Sequence, residues 1–232
     1  MMKKKLMASL LVGSAVAGAS LTPLSAQATT TGNTPVQVEF GGGLLPDHGG
    51  SASNNVDPDP STPNTDFDLL AVPVNLNFSP VTIGGDLSAI KGKEVYRAVM
   101  VGDVRGTKEG WHVTGEIANM NNGTDKLDGE ISFDLAPYYA VYNRINNIYD
   151  SESFLNGGTI SNDPTAPDFI GANMKIGGGA TTIMTAAVGK GQGTWSGVFE
   201  NISLNVTTPM QQLKKGAYTG NITWNLVAGP SI

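Results

Sequence analysis

The sequence contains no cysteine. That excludes both a disulfide framework and a thiolate metal site. Histidine is nearly as scarce. His48 lies in a Gly-rich loop, where a solvent-exposed side chain is expected, and His112 stands between Trp111 and Val113, facing away from them on a strand. Neither is set up as a base, so nucleophilic constellations of the Ser/His or Cys/His kind have little to build on. Charged side chains make up only 15% of the chain, and its acidic residues are scattered, with none in a recognisable glycosidase motif. These scarcities argue for a protein that is not an enzyme. Asp57, Asp59, Asp66 and Asp68 cluster, but a calcium loop would want Gly at its sixth position and Glu at its twelfth. No metal and no cofactor are expected.

Long apolar runs are missing as well. The stretch from Leu6 to Ala19 falls short of the roughly 18 residues that a membrane span needs. Lys3, Lys4 and Lys5 precede it and Ala26-Gln27-Ala28 follows, the three-part pattern of a secretory signal peptide over residues 1–28. A single domain is then expected over 29–232. Without those three lysines, 11 basic residues face 20 acidic ones, a balance of −9. Such acidity argues against nucleic acid and anionic lipid as partners. No later span and no Leu-Pro-x-Thr-Gly signal is found, so retention at a cell surface would be non-covalent. A secreted chain without cysteine points to a Gram-positive source.

What is abundant is glycine, 30 residues, with 13 prolines. Short alternating segments punctuated by such turns indicate an all-β, antiparallel β-sandwich with long irregular loops, a barrel-like closure being the alternative. Residues 36–40 alternate. Residues 41–66 shift to Gly, Pro, Asn, Asp and Ser and read as a loop insert with little to bury. Leu69 to Ile83 is apolar but broken by Pro73 and Pro80, which fits edges or bends. Tyr96 to Val104, Trp111 to Ile117, Ile131 to Leu135 and Thr181 to Val188 read as strands, and residues 137–167 as irregular, with a short helix conceivable over 136–147. Asn122, Asn201, Asn205 and Asn221 head Asn-x-Ser/Thr triplets, read as polar strand faces and not glycan acceptors.

The most specific signals come in order. Asp103-Val104-Arg105-Gly106 precedes Gly110-Trp111-His112-Val113. Met184-Thr185-Ala186-Ala187 precedes Gly193-Thr194-Trp195, and Lys215-Gly216-Ala217-Tyr218 precedes Trp224-Asn225-Leu226. Together with Phe40-Gly41-Gly42-Gly43 and Thr65-Asp66-Phe67-Asp68, this series resembles the WxL-domain surface proteins of Gram-positive bacteria. Trp111-His112-Val113 departs from that family's Trp-x-Leu by one conservative change. The resemblance implies a secreted protein held non-covalently in the cell wall, with peptidoglycan as ligand and companion surface proteins as partners.

Two roles follow: direct binding to a wall polymer, or membership of a multi-protein surface complex attached mainly through partner proteins. Aromatic and amide side chains hold sugars, and cations pair with the carboxylates of peptide stems. Tyr138, Tyr139, Tyr142 and Tyr149 with Lys214 and Lys215 are the candidate contacts, and Lys108 and Arg105 add cations in turns. By period two, Tyr218, Ile222, Trp224 and Leu226 share one strand face, as do Trp111 and Val113. These and Trp195 are therefore expected in the core, with the binding surface elsewhere.

Overall fold

The computed structural model describes residues 34–49, 54–93 and 95–229. The expected signal peptide lies outside them. The chain divides into two compact units, Met1–Glu39 and Phe40–Ile232. Of the first, only residues 34–39 are described, and the alternating stretch from Val36 forms no strand.

The second unit is nearly all β, antiparallel throughout and not closed into a barrel. Its strands are β1 (Asn55–Val56), β2 (Phe67–Pro73), β3 (Ile90–Lys91), β4 (Ala98–Asp103), β5 (Trp111–Asn121), β6 (Gly129–Asn143), β7 (Ile148–Glu152), β8 (Phe154–Leu155), β9 (Gly158–Thr159), β10 (Asp168–Phe169), β11 (Ala172–Lys175), β12 (Thr181–Ala186), β13 (Gly193–Val206) and β14 (Thr219–Ala228). The large sheet runs β1-β2-β4-β13-β6-β11, with β3 also on β13 and β7 also on β6; the small sheet runs β10-β12-β5-β14. The sandwich expected from the turn-rich pattern is the architecture observed.

β5 shows why the two sheets face each other. Trp111, Val113, Gly115 and Ile117 are buried while His112, Thr114 and Glu116 between them are half-exposed, the alternation of a sheet with one wet face. β4 differs: Ala98-Val99-Met100-Val101-Gly102-Asp103 is buried at every position. Val99 and Val101 join the core between the sheets. Ala98 and Met100 point the other way, into a second cluster with Leu45, Leu70 and Tyr149. The lid on that outer face comes from the insert. Leu45 is buried, its N–H donates to Thr65 O, and Gly43 N–H donates to Val104 O. The insert is thus no solvated linker along its described part; Leu45 supplies the apolar anchor among its polar residues.

β6 is the second departure. The region read as irregular after Pro137 continues as strand to Asn143, and no helix forms over 136–147. Pro137 is tolerated because of where it falls. β6 pairs with β11 over residues 130–133 and with β7 over 139–143. Its outer edge at 137 has no neighbour that would need the missing N–H. The β-favouring Tyr138, Tyr139, Val141 and Tyr142 then extend the strand.

Two polar clamps fix the ends of these strands. The Trp111 indole N–H, from the small sheet, and the Trp195 indole N–H, from the large sheet, both donate to Gly191 O at 2.9 Å. Gly191 has φ +78°, and a Cβ there would stand 2.4 Å from Ala186 Cβ and 2.5 Å from Trp111 Nε1. Only glycine fits. In the turn before β5, Arg105 forks onto Asp103, Nε to Oδ1 and Nη2 to Oδ2, both at 2.9 Å. Its guanidinium also lies 3.7 Å over the Phe67 ring and pairs with Glu109. The Asp103 side chain is fully buried, so the pair holds residues 103–110 as a fixed bend into Trp111.

Both clamps are open to mutation. Gly191→Ala combines left-handed strain with overpacking and should cost about 3 kcal/mol, lowering the thermal unfolding midpoint by roughly 6–12 °C. Asp103→Asn removes one charge of a mostly buried pair and should destabilise by about 3 kcal/mol, read as a lower urea midpoint with an unchanged slope.

Candidate functional site

At one end of the sandwich the sheets stand apart and leave a groove of about 1120 Å³. Its floor is the core seen from outside: Ile117 of β5, Ile131 of β6 and Leu204 of β13, with Ile222 and Trp224 of β14 along one side. Residues 73–83 form one wall and 213–221 the other. Three aromatic side chains, Phe78, Tyr218 and Trp224, line it, all half-exposed. Asn75, Asn77, Asn221 and Lys215 bring polar groups to the same surface.

Each wall is fastened by identifiable bonds. Arg97 is buried beneath the first. It donates from Nε to Asn75 O at 3.1 Å, from Nη2 to Asn75 Oδ1 at 3.0 Å and from Nη1 to Asn54 Oδ1 at 2.7 Å. Ser79 N–H donates to Lys91 O, Lys93 N–H donates to Asn77 O, and Phe78 bridges Gly92. On the second wall, Lys214 Nζ lies 2.9 Å from Asp125 Oδ1 and the Lys214 N–H donates to the Tyr218 hydroxyl at 3.1 Å. The Thr124 hydroxyl, then Lys214, hold the Asp125 carboxyl below the usual carboxylate range. Lys215 is exposed and forms no ion pair among the described residues.

The expected site residues do not gather in one place. Trp111, Val113 and Trp195 are buried in the core. Trp224 and Leu226 pack on that core but are only half-buried, because β14 is an edge strand. The Trp224 ring lies over Gly115, its partner on β5, and meets Phe199 of the large sheet edge-on at 5.9 Å. Its remaining face lines the groove, so this tryptophan belongs to the core and to the candidate site at once.

Of the tyrosines, two are interior. Tyr139 packs tilted against Trp195, ring centroids 5.4 Å apart, and donates to Asp163 at 3.0 Å. Tyr149 donates to Pro46 O at 2.8 Å, and burial pushes its phenol well above the ordinary range. Neither can offer a ring face to a sugar. Tyr138 and Tyr142 are half-exposed on β6, away from the groove lining. Lys214 and Lys215 do line it. Arg105 is engaged with Asp103 and Glu109 and leaves no free cation.

One further expectation is corrected. His48 is buried at 3% exposure, stacked on Tyr149 at 6.3 Å, and is not in solvent; the insert folds back as a lid and takes it along. His112 is half-buried, with Nδ1 2.9 Å from Gly229 O. Among the described residues, no three His, Cys, Asp or Glu side chains are placed to hold a metal ion, and no helix is long and apolar enough to cross a membrane.

Sequence reasoning missed the 73–83 wall and Arg97. The signal was present: Val74, Leu76 and Phe78 alternate with Asn75 and Asn77, an apolar-polar strip in a segment that the prolines had marked only as an edge.

No curated protein and no solved structure matches the chain. A family model does: the WxL domain, described as surface cell wall-binding, matches residues 26–230. Every motif segment compared above falls within that span, and the two tryptophans sharing Gly191 O come from two of them. The chain belongs to the WxL family of cell-wall-binding surface domains.

Proposed function

We propose that this surface protein binds the wall directly, through peptidoglycan, and that the groove between the two sheets is where it does so. The observation that carries this reading is the composition of the groove. Half-exposed aromatic rings, Tyr218, Trp224 and Phe78, suit sugar faces. The amides of Asn75, Asn77 and Asn221 suit hydroxyl and peptide groups. Lys215, exposed at the rim, suits a stem carboxylate. The role is binding and not catalysis, in keeping with a family defined by wall association. Companion surface proteins would then be held to the wall by this domain.

Sedimentation with purified, protein-stripped cell walls tests the reading. The protein should pellet with the walls. If it stays in the supernatant yet is retained on intact cells carrying partner proteins, attachment is indirect and the reading fails. Lys215→Glu touches no packing, so its unfolding midpoint should match the parent, while loss of a charge-assisted bond should weaken wall binding about tenfold. Trp224→Ala should both lower the unfolding midpoint, by less than a fully buried tryptophan would, and abolish retention by walls. Lys215→Glu is the companion variant that separates the two effects, since Lys215 is exposed at the rim and forms no ion pair among the described residues.

A further inference from the structure

The side chain of Asn75 has only one end to offer. Asn75 is exposed and lines the groove, and Arg97 lies buried beneath it. A guanidinium donates and never accepts. Arg97 Nη2, 3.0 Å away, therefore faces the Asn75 side-chain oxygen, which fixes which way round the amide stands. Arg97 Nε holds the Asn75 backbone oxygen at 3.1 Å. With Oδ1 engaged below, the NH2 group is what Asn75 has left for a ligand. Arg97 is itself tied down: Nη1 donates to Asn54 Oδ1 at 2.7 Å, and its backbone oxygen accepts from the Phe199 N–H of β13.

The surface that Asn75 shares is aliphatic, with Ile117, Ile131 and Leu204 in the floor. A sugar hydroxyl pressed against such a floor loses its water and gains no partner. A methyl group there is favourable. A fixed donor, in turn, asks for an acceptor oxygen. The chemistry that meets both demands is an amide carbonyl carrying a methyl group. Two parts of a wall polymer supply it: the acetamido group of an N-acetylated sugar and the alanine residues of a peptide stem. The half-exposed rings of Phe78, Tyr218 and Trp224 in the same groove favour the sugar, whose ring faces they can cover. At about 1120 Å³ the groove is larger than the roughly 300–1,000 Å³ of a site for one small ligand, and it suits an oligomer.

We infer that the groove selects N-acetylated amino sugars, reading the acetamido carbonyl with Asn75 and its methyl with the aliphatic floor. Arg97 is the positioning residue that sets Asn75 as a donor. The inference rests on the groove being the binding site, and it names the group that is recognised there.

Calorimetric titration with tetra-N-acetylchitotetraose, chitotetraose, cellotetraose and trialanine tests it. The acetylated sugar should bind at least about tenfold more tightly than any other probe. Asn75→Asp keeps an oxygen for Arg97 and replaces the NH2 group by a second oxygen. Its unfolding midpoint should be no lower than the parent's, while the preference for the acetylated sugar disappears. Arg97→Lys keeps the charge but loses the fork. Asn75 is then free to turn, and the preference should fall in the same direction. Equal binding of another probe overturns the inference, as does no measurable binding of the acetylated sugar. So does a folded Asn75→Asp or Arg97→Lys variant that keeps the preference. Retention by stripped walls is a separate readout. A protein that pellets with walls yet shows no preference loses this inference and keeps the wall reading. One that prefers the acetylated sugar but stays in the supernatant loses the wall reading alone.

Discussion

A single backbone oxygen does much to fix the geometry of this molecule. Gly191 O accepts from two indoles, Trp111 of one sheet and Trp195 of the other. A sandwich held only by apolar contact can slide, because such contacts have no direction. Two N–H donors aimed at one acceptor do have direction, and they set the sheets in register at that end. The acceptor must approach both rings, which leaves no room for a side chain at 191. Ala186 closes the site from β12, so the Met-Thr-Ala-Ala segment and both Gly/Trp segments meet at one point.

The opposite end works on another principle. There Trp224 crosses from Gly115 to Phe199, its indole N–H forming no hydrogen bond among the described residues, and the sheets diverge. The groove is the space left by that divergence, with a floor built from the core's own residues. A tryptophan in this position stabilises the fold with one face and presents the other. Function and stability therefore share a side chain, and a binding defect on its truncation has two sources by construction.

Much of this was legible in the sequence. Period-two alternation marked β4, β5, β12 and β14, since each has one or both faces in the core. It failed where other terms dominate. β6 runs through Pro137 because a gap between β11 and β7 spares that N–H, a fact of sheet layout that no local pattern carries. The insert looked empty because one leucine, Leu45, is a small signal among glycines and aspartates, though it caps the outer face of β4. Tyr139 and Tyr149 looked like contacts because aromatics near amides suit sugars; the structure buries both and satisfies their hydroxyls with Asp163 and Pro46 O. Arg97 gave no signal at all, because its partners Asn54 and Asn75 lie 43 and 22 residues earlier.

The order of strands has a consequence for how the chain acquires its shape. β13 lies in the middle of the large sheet, between β4 and β6, and also carries β3. Among the described strands only β14 follows it in the chain. Until residues 193–206 are present, β4 and β6 have no common neighbour, and Trp111 waits for a carbonyl 80 residues away. Contacts of that span form slowly, because long loops must close first. A growing chain would therefore stay open over most of its described length and would lock only once residues 193–206 have been made.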